Sequence, residues 1–200
     1  MDSNVNKPIL HSSLIDGSCF FQECSWESVK HLFLTYHYLK TMPAGIMAVY
    51  GLFDETMLNR ALGGAVFCNG RIQYDGKYLE FSRMWMIDQF GTNTESWFIA
   101  KCMSALRKKY PTYEGVVTWA DGSRSHNGTI YLASNFVYDG DSRKVKKFAG
   151  KNKKVIYQRT ATANDICVGE DNPKKRFIYY FNSKKRELLK KNKNESCPTK

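Results

Sequence analysis

No stretch of this chain is long and apolar enough to cross a bilayer, because polar or charged residues break every hydrophobic run well short of the roughly 18–20 residues a spanning helix needs. The opening residues, MDSNVNKPILHSSLIDG, also lack the basic segment followed by an apolar one that marks a secretory leader. The sequence therefore predicts a cytoplasmic protein with no membrane partner. Paired cysteines are missing too. Cys19, Cys24, Cys68, Cys102, Cys167 and Cys197 stand apart with no C-x-x-C, which gives no basis for a zinc site or a disulfide framework and predicts free thiols. There is no internal repeat and no low-complexity linker. Two hundred residues with 42% hydrophobic content suit one core better than two. The expectation is a single domain over residues 1–181 and a basic, flexible tail over 182–200.

Negative charge is scarce in one part of the chain only. Residues 1–142 carry 12 Lys and Arg against 14 Asp and Glu, whereas residues 143–200 carry 18 against 5, so the whole net charge of +11 is a C-terminal property. Such a block marks a polyanion partner or a solvated tail, and in the cytosol the abundant polyanion is nucleic acid. Arg143, Lys144, Lys146, Lys147, Lys153, Lys154, Lys174, Lys175 and Arg176 are the candidate phosphate contacts.

In SWESVKHLFLTYHYLK, Val29, Leu32, Phe33, Tyr36 and Leu39 recur at steps of three and four, predicting a helix capped by Ser25 and stopped by Pro43. GIMAVYGLFD and ALGGAVFCNG read as neighbouring strands, and LEFSRMWMI as a third. Next comes DQFGTNTESWFIAKCMSALRKKYP. Thr92 with Glu95 makes a capping-box pattern, Phe98 or Ile99 with Cys102, Met103 and Leu106 forms a stripe, Arg107, Lys108 and Lys109 suit the negative end, and Pro111 stops the helix. GVVTWAD is a buried strand ending at Asp121. In GTIYLASNF, Ile130, Ala133, Phe136 and Val137 have helical spacing, which favours a helix although Asn127-Gly128 could instead turn a hairpin, and VIYQRT and RFIYYF read as closing strands. Strand, helix, strand, helix in the middle requires a parallel pair with crossover helices, while the flanking short strands read as antiparallel; the fold class is α/β with a mixed, twisted sheet.

A helix N-terminus presents unpaired N–H groups and partial positive charge, so the turn GTNTES is a candidate pyrophosphate site. With Met84 and Trp85 on the strand before it, Gly91, Thr92, Asn93, Thr94 and Glu95 are the candidate cofactor contacts. Ligands of open α/β sheets sit beyond the carboxyl ends of parallel strands, where Arg83 and Asp121 would face one crevice. Each has a plain alternative. Asp121 could be a turn residue or a cap, Arg83 a structural ion pair, Tyr131 a core-edge aromatic, and His37 and Tyr38 packing residues with polar tips.

This order of elements resembles the GCN5-related N-acetyltransferase (GNAT) superfamily, with GTNTES standing where that superfamily usually has a Q/R-x-x-G-x-G/A loop. A closer likeness, from about Tyr36 to Tyr180, is to the phage Mom DNA-modification family. YHYLKTMPAGIMAVYGLFDETMLNRALGGAVF resembles its HY-containing helix and Gly-rich hairpin, and LEFSRMWMIDQFGTNTESWFI its strand ending in Arg with the N-x-E-S helix start. VVTWADGSRSHNGTIYLASNFVYDG resembles its Asp strand, His-x-Gly-Thr turn and Tyr helix, and KKRFIYYF its closing strand. The pair His37-Tyr38 is followed by Leu39-Lys40 where the family pattern has small residues.

The resemblance implies modification of adenine in double-stranded DNA at its exocyclic N6, by an N6-carbamoylmethyl group derived from an acetyl-CoA-type donor, and protection of phage DNA from host restriction. It carries Arg83, Ser96, Asp121, Tyr131, His37 and Tyr38 into the catalytic set. Family members have been linked to iron, but no pair of residues here has ligand spacing, so the metal is left open. In the expected mechanism Asp121 accepts a hydrogen bond from N6 and acts as base, and Tyr131 donates to the leaving thiolate or the donor carbonyl. Arg83 and Ser96 hold the acyl group or offset negative charge, and the N–H groups of residues 91–95 hold the pyrophosphate. The base would be flipped out of the duplex and stacked on Tyr38, Tyr50 or Trp85. The rival readings are an ordinary acetyltransferase for a protein or small amine, and a non-catalytic basic nucleic-acid-binding protein.

Overall fold

The structure is a computed structural model that describes residues 19–54, 60–70, 76–88, 93–122, 126–149, 155–157 and 166–195. Its first half runs β1 (Cys19–Glu23), α1 (Trp26–Thr35), β2 (Ile46–Asp54), β3 (Arg60–Asn69), β4 (Tyr78–Met86), α2 (Thr94–Lys109) and β5 (Gly115–Ala120). The second runs α3 (Thr129–Ala133), β6 (Val137–Asp141), β7 (Val145–Ala149), β8 (Val155–Tyr157), β9 (Ile166–Asp171), β10 (Lys175–Tyr180) and α4 (Ser183–Glu195). The main sheet has the order β1-β2-β3-β4-β5-β10-β6, and a smaller one β8-β7-β9. Among the described pairings β4–β5 alone is parallel, joined through α2 as the mixed-sheet expectation required.

β2 and β3 are apolar at almost every position because both faces of the sheet are covered. α2 lays Phe98, Ile99, Cys102, Met103 and Leu106 on one face, against Tyr50, Phe67, Leu79, Phe81 and Val116. α1 buries Val29, Leu32 and Phe33 on the other, against Val49, Phe53 and Val66. Three fully buried side chains contribute on the order of 6 kcal/mol, enough to hold a ten-residue helix that would be marginal alone. Gly64 permits the close approach: a Cβ there would lie 3.1 Å from Val29 Cβ.

Several expectations change. The first helix ends at Thr35, so His37 and Tyr38 sit in the following turn, and Tyr36 and Leu39 are 57% and 41% exposed instead of buried. His37 Nδ1 accepts the Leu39 N–H at 3.2 Å, a local bond that competes with helix continuation. α2 starts behind Asn93, whose left-handed backbone (φ 74°) makes it the N-cap, while Thr92, expected in that role, lies outside the described residues. α3 stops after five residues because Asn135 turns left-handed (φ 67°), and Val137 opens a strand.

The segment after Phe181, read from sequence as a flexible tail, begins as α4. Leu189 packs on the cluster of Val117, Val137, Ile178 and Tyr180, Arg186 lies over the Tyr179 ring and donates to Tyr180 O at 2.9 Å, and Lys185 pairs with Glu114 at 3.1 Å. VIY belongs to the small sheet with β7 and β9, a sheet that was not expected. No helix among the described residues is long and apolar enough to cross a membrane.

Candidate active site

β4 and β5 pair only from Tyr78–Glu80 to Gly115–Val117 and then separate. The sequence builds this split with a bulge. Phe67 faces Phe81 and Val66 faces Arg83, so Ser82 is an extra residue that bends β4 and re-aims the side chains after it. Where the main chains no longer meet, Thr118 Oγ1 donates to Phe81 O at 3.1 Å across the gap. A crevice of about 520 Å³ opens there, bounded by the ends of β4 and β5, the turn after α1, and the loop into α3.

Of the expected catalytic residues, Arg83, Asp121, Tyr131, His37 and Tyr38 all line this crevice, as do the expected cofactor contacts Met84 and Trp85. Ser96 does not line it: its Oγ donates to Asn93 O at 2.9 Å within the first turn of α2. Asn93, Thr94 and Glu95 lie at the N-terminus of α2, with Thr94 buried, and none of them lines the crevice; Gly91 and Thr92 lie outside the described residues. Tyr50 is excluded as a stacking platform, because it is 1% exposed and stacked on Phe21 in the core. Trp85 is already stacked beneath Tyr36, with ring centroids 4.7 Å apart, and Tyr38, 40% exposed, stacks on His37 at 4.5 Å. Sequence reasoning missed Tyr36, Trp119 and His126, which also line the crevice. His126 stands in the SHNG turn and was the more legible; Tyr36 reads as part of a buried helical stripe and Trp119 as strand core.

The electrostatics divide the residues by role. Burial, then the Arg83 cation and His126, lower the His37 pKa to about 4, so its imidazole is neutral at physiological pH. Because Nδ1 accepts from Leu39, the proton sits on Nε2. Burial raises the Tyr131 pKa, with Tyr38 adding to it and a hydrogen bond to Thr118 opposing it, and the phenol stays a proton donor. Arg83 Nη1 donates to Ser82 O at 2.7 Å, whereas its buried Nε has no acceptor among the described residues. Among the described residues no carboxylate pairs with Arg83, leaving a cation suited to a ligand's negative charge. Asp121, its side chain 17% exposed, pairs with Lys174 at 3.1 Å.

Several expected phosphate contacts already have carboxylate partners: Lys144 with Glu170 at 3.9 Å, Lys147 with Asp171, Lys174 with Asp121, and Arg176 with Asp139 at 2.7 Å. Arg143, Lys146 and Lys175 are exposed, and Lys153 and Lys154 lie outside the described residues. No group of three His, Cys, Asp or Glu side chains among the described residues could hold a metal ion, and His37 has committed Nδ1 to the backbone. Among the described residues, then, the donor set does not fit the iron that the family resemblance suggested.

The sequence over residues 18–196 matches the Mom protein family. One similar curated protein is the "Methylcarbamoylase mom" of Escherichia phage Mu, 38% identical over 63 residues; that stretch is 32% of this chain and 26% of the relative's length. Among solved structures, Arabidopsis thaliana NAA60 in complex with acetyl-CoA superposes with TM-score 0.53 at 10% identity, covering 82% of this chain and 99% of that one. The ribosomal-protein-S5-alanine acetyltransferase of Vibrio fischeri gives 0.53 at 6% identity, covering 82% and 94%. At such identities the likeness establishes the fold, which is that of the GNAT acetyltransferases. On a match that spans nearly the whole length, the chain belongs to the Mom protein family.

Proposed function

We propose that this protein is a DNA-modifying enzyme that transfers an acetyl-CoA-derived group to N6 of adenine, and so shields phage DNA from restriction. What supports the reading most is the convergence of Arg83, Asp121, Tyr131, His37 and Tyr38, from four separate parts of the chain, on one crevice at the β4–β5 split. Its volume lies within the roughly 300–1,000 Å³ common to small-molecule sites.

An acyl-CoA supplies the electrophilic carbon when bound. The residues that would hold it are Met84 and Trp85 on β4 and the N–H groups at the start of α2, where a helix terminus favours a pyrophosphate. The N6 lone pair is delocalised into the purine ring, so the amine must be oriented and relieved of a proton as the new bond forms. Asp121 accepts the N6 hydrogen and takes the proton. Tyr131, held protonated, and His37, through Nε2–H, would donate to the negative charge on the donor carbonyl or on the CoA thiolate that departs as the bond to N6 forms, and Arg83 would offset it. Paired adenine is stacked inside the duplex, so it enters extruded, with Tyr38 as its stacking partner. Lysines and arginines beyond residue 142 supply salt-dependent affinity for the backbone.

The test is mass spectrometry of nucleosides from DNA of cells expressing the protein or its Asp121→Asn variant. We expect a mass-shifted deoxyadenosine with the wild type and none with the variant. Unmodified adenine alongside acetylated protein or polyamine would assign the crevice to an ordinary amine acetyltransferase.

A further inference from the structure

Resting on the DNA reading above, we propose that Lys174 is a cation shared between the active site and the substrate, passed from the Asp121 carboxylate to a backbone phosphate of the duplex as the target nucleotide is seated.

The register places the two side chains together. Lys175 pairs with Ala120, so the residue before β10 stands opposite the residue after β5, and Lys174 Nζ lies 3.1 Å from Asp121 Oδ2. The main chain there is pinned: Ser142 N donates to Lys174 O at 2.8 Å, and Lys174 N donates to Ser142 Oγ at 2.8 Å. These two bonds close the neck through which β6 and β10 continue into β7 and β9, the start of the basic segment. Lys174 therefore stands where the cationic ribbon joins the crevice, on a fixed backbone with a flexible four-carbon stem.

Its pairing differs from that of its neighbours. Lys144 and Lys147 are matched to Glu170 and Asp171 within the ribbon, and Arg176 to Asp139 beside the Trp119 ring. Among the described residues Lys174 is the one cation of this segment paired to a carboxylate of the crevice. Its side chain is 44% exposed, and an ion pair so open to solvent is weak enough for a phosphate to compete with. While the ammonium rests on Asp121 Oδ2 it takes up one of that carboxylate's acceptor positions, and when a phosphate draws it away that position opens to the base.

The test compares wild type, Lys174→Met and Lys174→Arg in binding a mixed-sequence duplex over a range of salt and in steady-state modification of that duplex. One lost phosphate contact lowers the slope of log affinity against log salt by about 0.9. We expect that loss in Lys174→Met, with KM for duplex raised several-fold near physiological salt and kcat changed far less, and recovery of both slope and KM in Lys174→Arg. An unchanged slope would overturn the proposal, as would a fall in kcat that matches the rise in KM, since Lys174 would then be holding Asp121 during turnover. If wild-type protein leaves adenine unmodified, the functional reading fails instead. The salt slope then decides alone whether Lys174 meets phosphate.

Discussion

His37 is neutral because it is half-buried beside a cation, and that has a measurable cost as the pH falls. The imidazole pKa is lowered from 6.5 to about 4, with burial first among the causes and the Arg83 charge and His126 following. A base whose folded pKa is depressed binds its proton more tightly in the unfolded chain. Its contribution to stability is complete above pH 6.5 and drains away as the pH falls toward about 4. The shift corresponds to roughly 3 kcal/mol in full, and because the ring is only half-buried we expect about 2 kcal/mol of it to be expressed by pH 4.5. The assay is urea unfolding of wild type and His37→Gln at pH 7.5 and pH 4.5. Other titrating groups cancel in the difference between the two proteins, so the wild type should lose about 2 kcal/mol more than the variant on acidification. With the usual urea dependence that is a relative midpoint shift of roughly 1 M. Parallel losses in the two proteins, or an NMR titration of His37 near its ordinary value, would refute the placement of this imidazole beside Arg83.

Two further outcomes concern the packing at α3. Gly128 has φ 82°, and a Cβ there would fall 2.2 Å from Phe177 Cζ in the core, so Gly128→Ala combines left-handed strain with overpacking; we expect a cost of about 2–4 kcal/mol and a melting temperature lower by roughly 5–15 °C in thermal unfolding. Tyr131→Phe keeps the ring against Phe81, Phe136 and Phe177 and removes only the hydroxyl, so melting should move by a few degrees while kcat falls on the order of 100-fold. Equal losses of stability and rate would make Tyr131 a packing residue.

The centre of the fold was legible because its signals agree. The β4–α2–β5 unit has an apolar strand, a helical stripe through Cys102, Met103 and Leu106 that is buried together with both Phe98 and Ile99, basic residues at the helix end and a proline stop, and a parallel pair needs the crossover helix. Arg83 and Asp121 could be placed on one side because both stand at the ends of that parallel pair. The failures have physical causes. The bulge at Ser82 is a slip of one residue that alternation does not reveal, yet it opens the split. Tyr36 and Leu39 keep helical spacing beyond the true helix end, where a side-chain bond from His37 redirects the chain. Tyr50 carries the polar tip of a ligand contact but lies mid-strand in a sheet covered on both faces. α4 looked unstructured because it has little apolar payload; Leu189, the Arg186 and Lys185 contacts with tyrosines, the Arg186 guanidinium bond to the Tyr180 carbonyl and the Lys185–Glu114 pair hold it instead.

A single crevice serving both the acyl donor and an extruded base is what everything else depends on. Amide hydrogen exchange reads that directly, with the intact protein alone, with acetyl-CoA, and with duplex DNA. Protection by acetyl-CoA should fall on β4 from Ser82 to Met86 and on the first turn of α2, and protection by DNA on the turn after α1, on residues 126–131 and on the neck at Lys174. Two ligands that protect opposite faces of the sheet, or acetyl-CoA that leaves β4 unchanged, would contradict it.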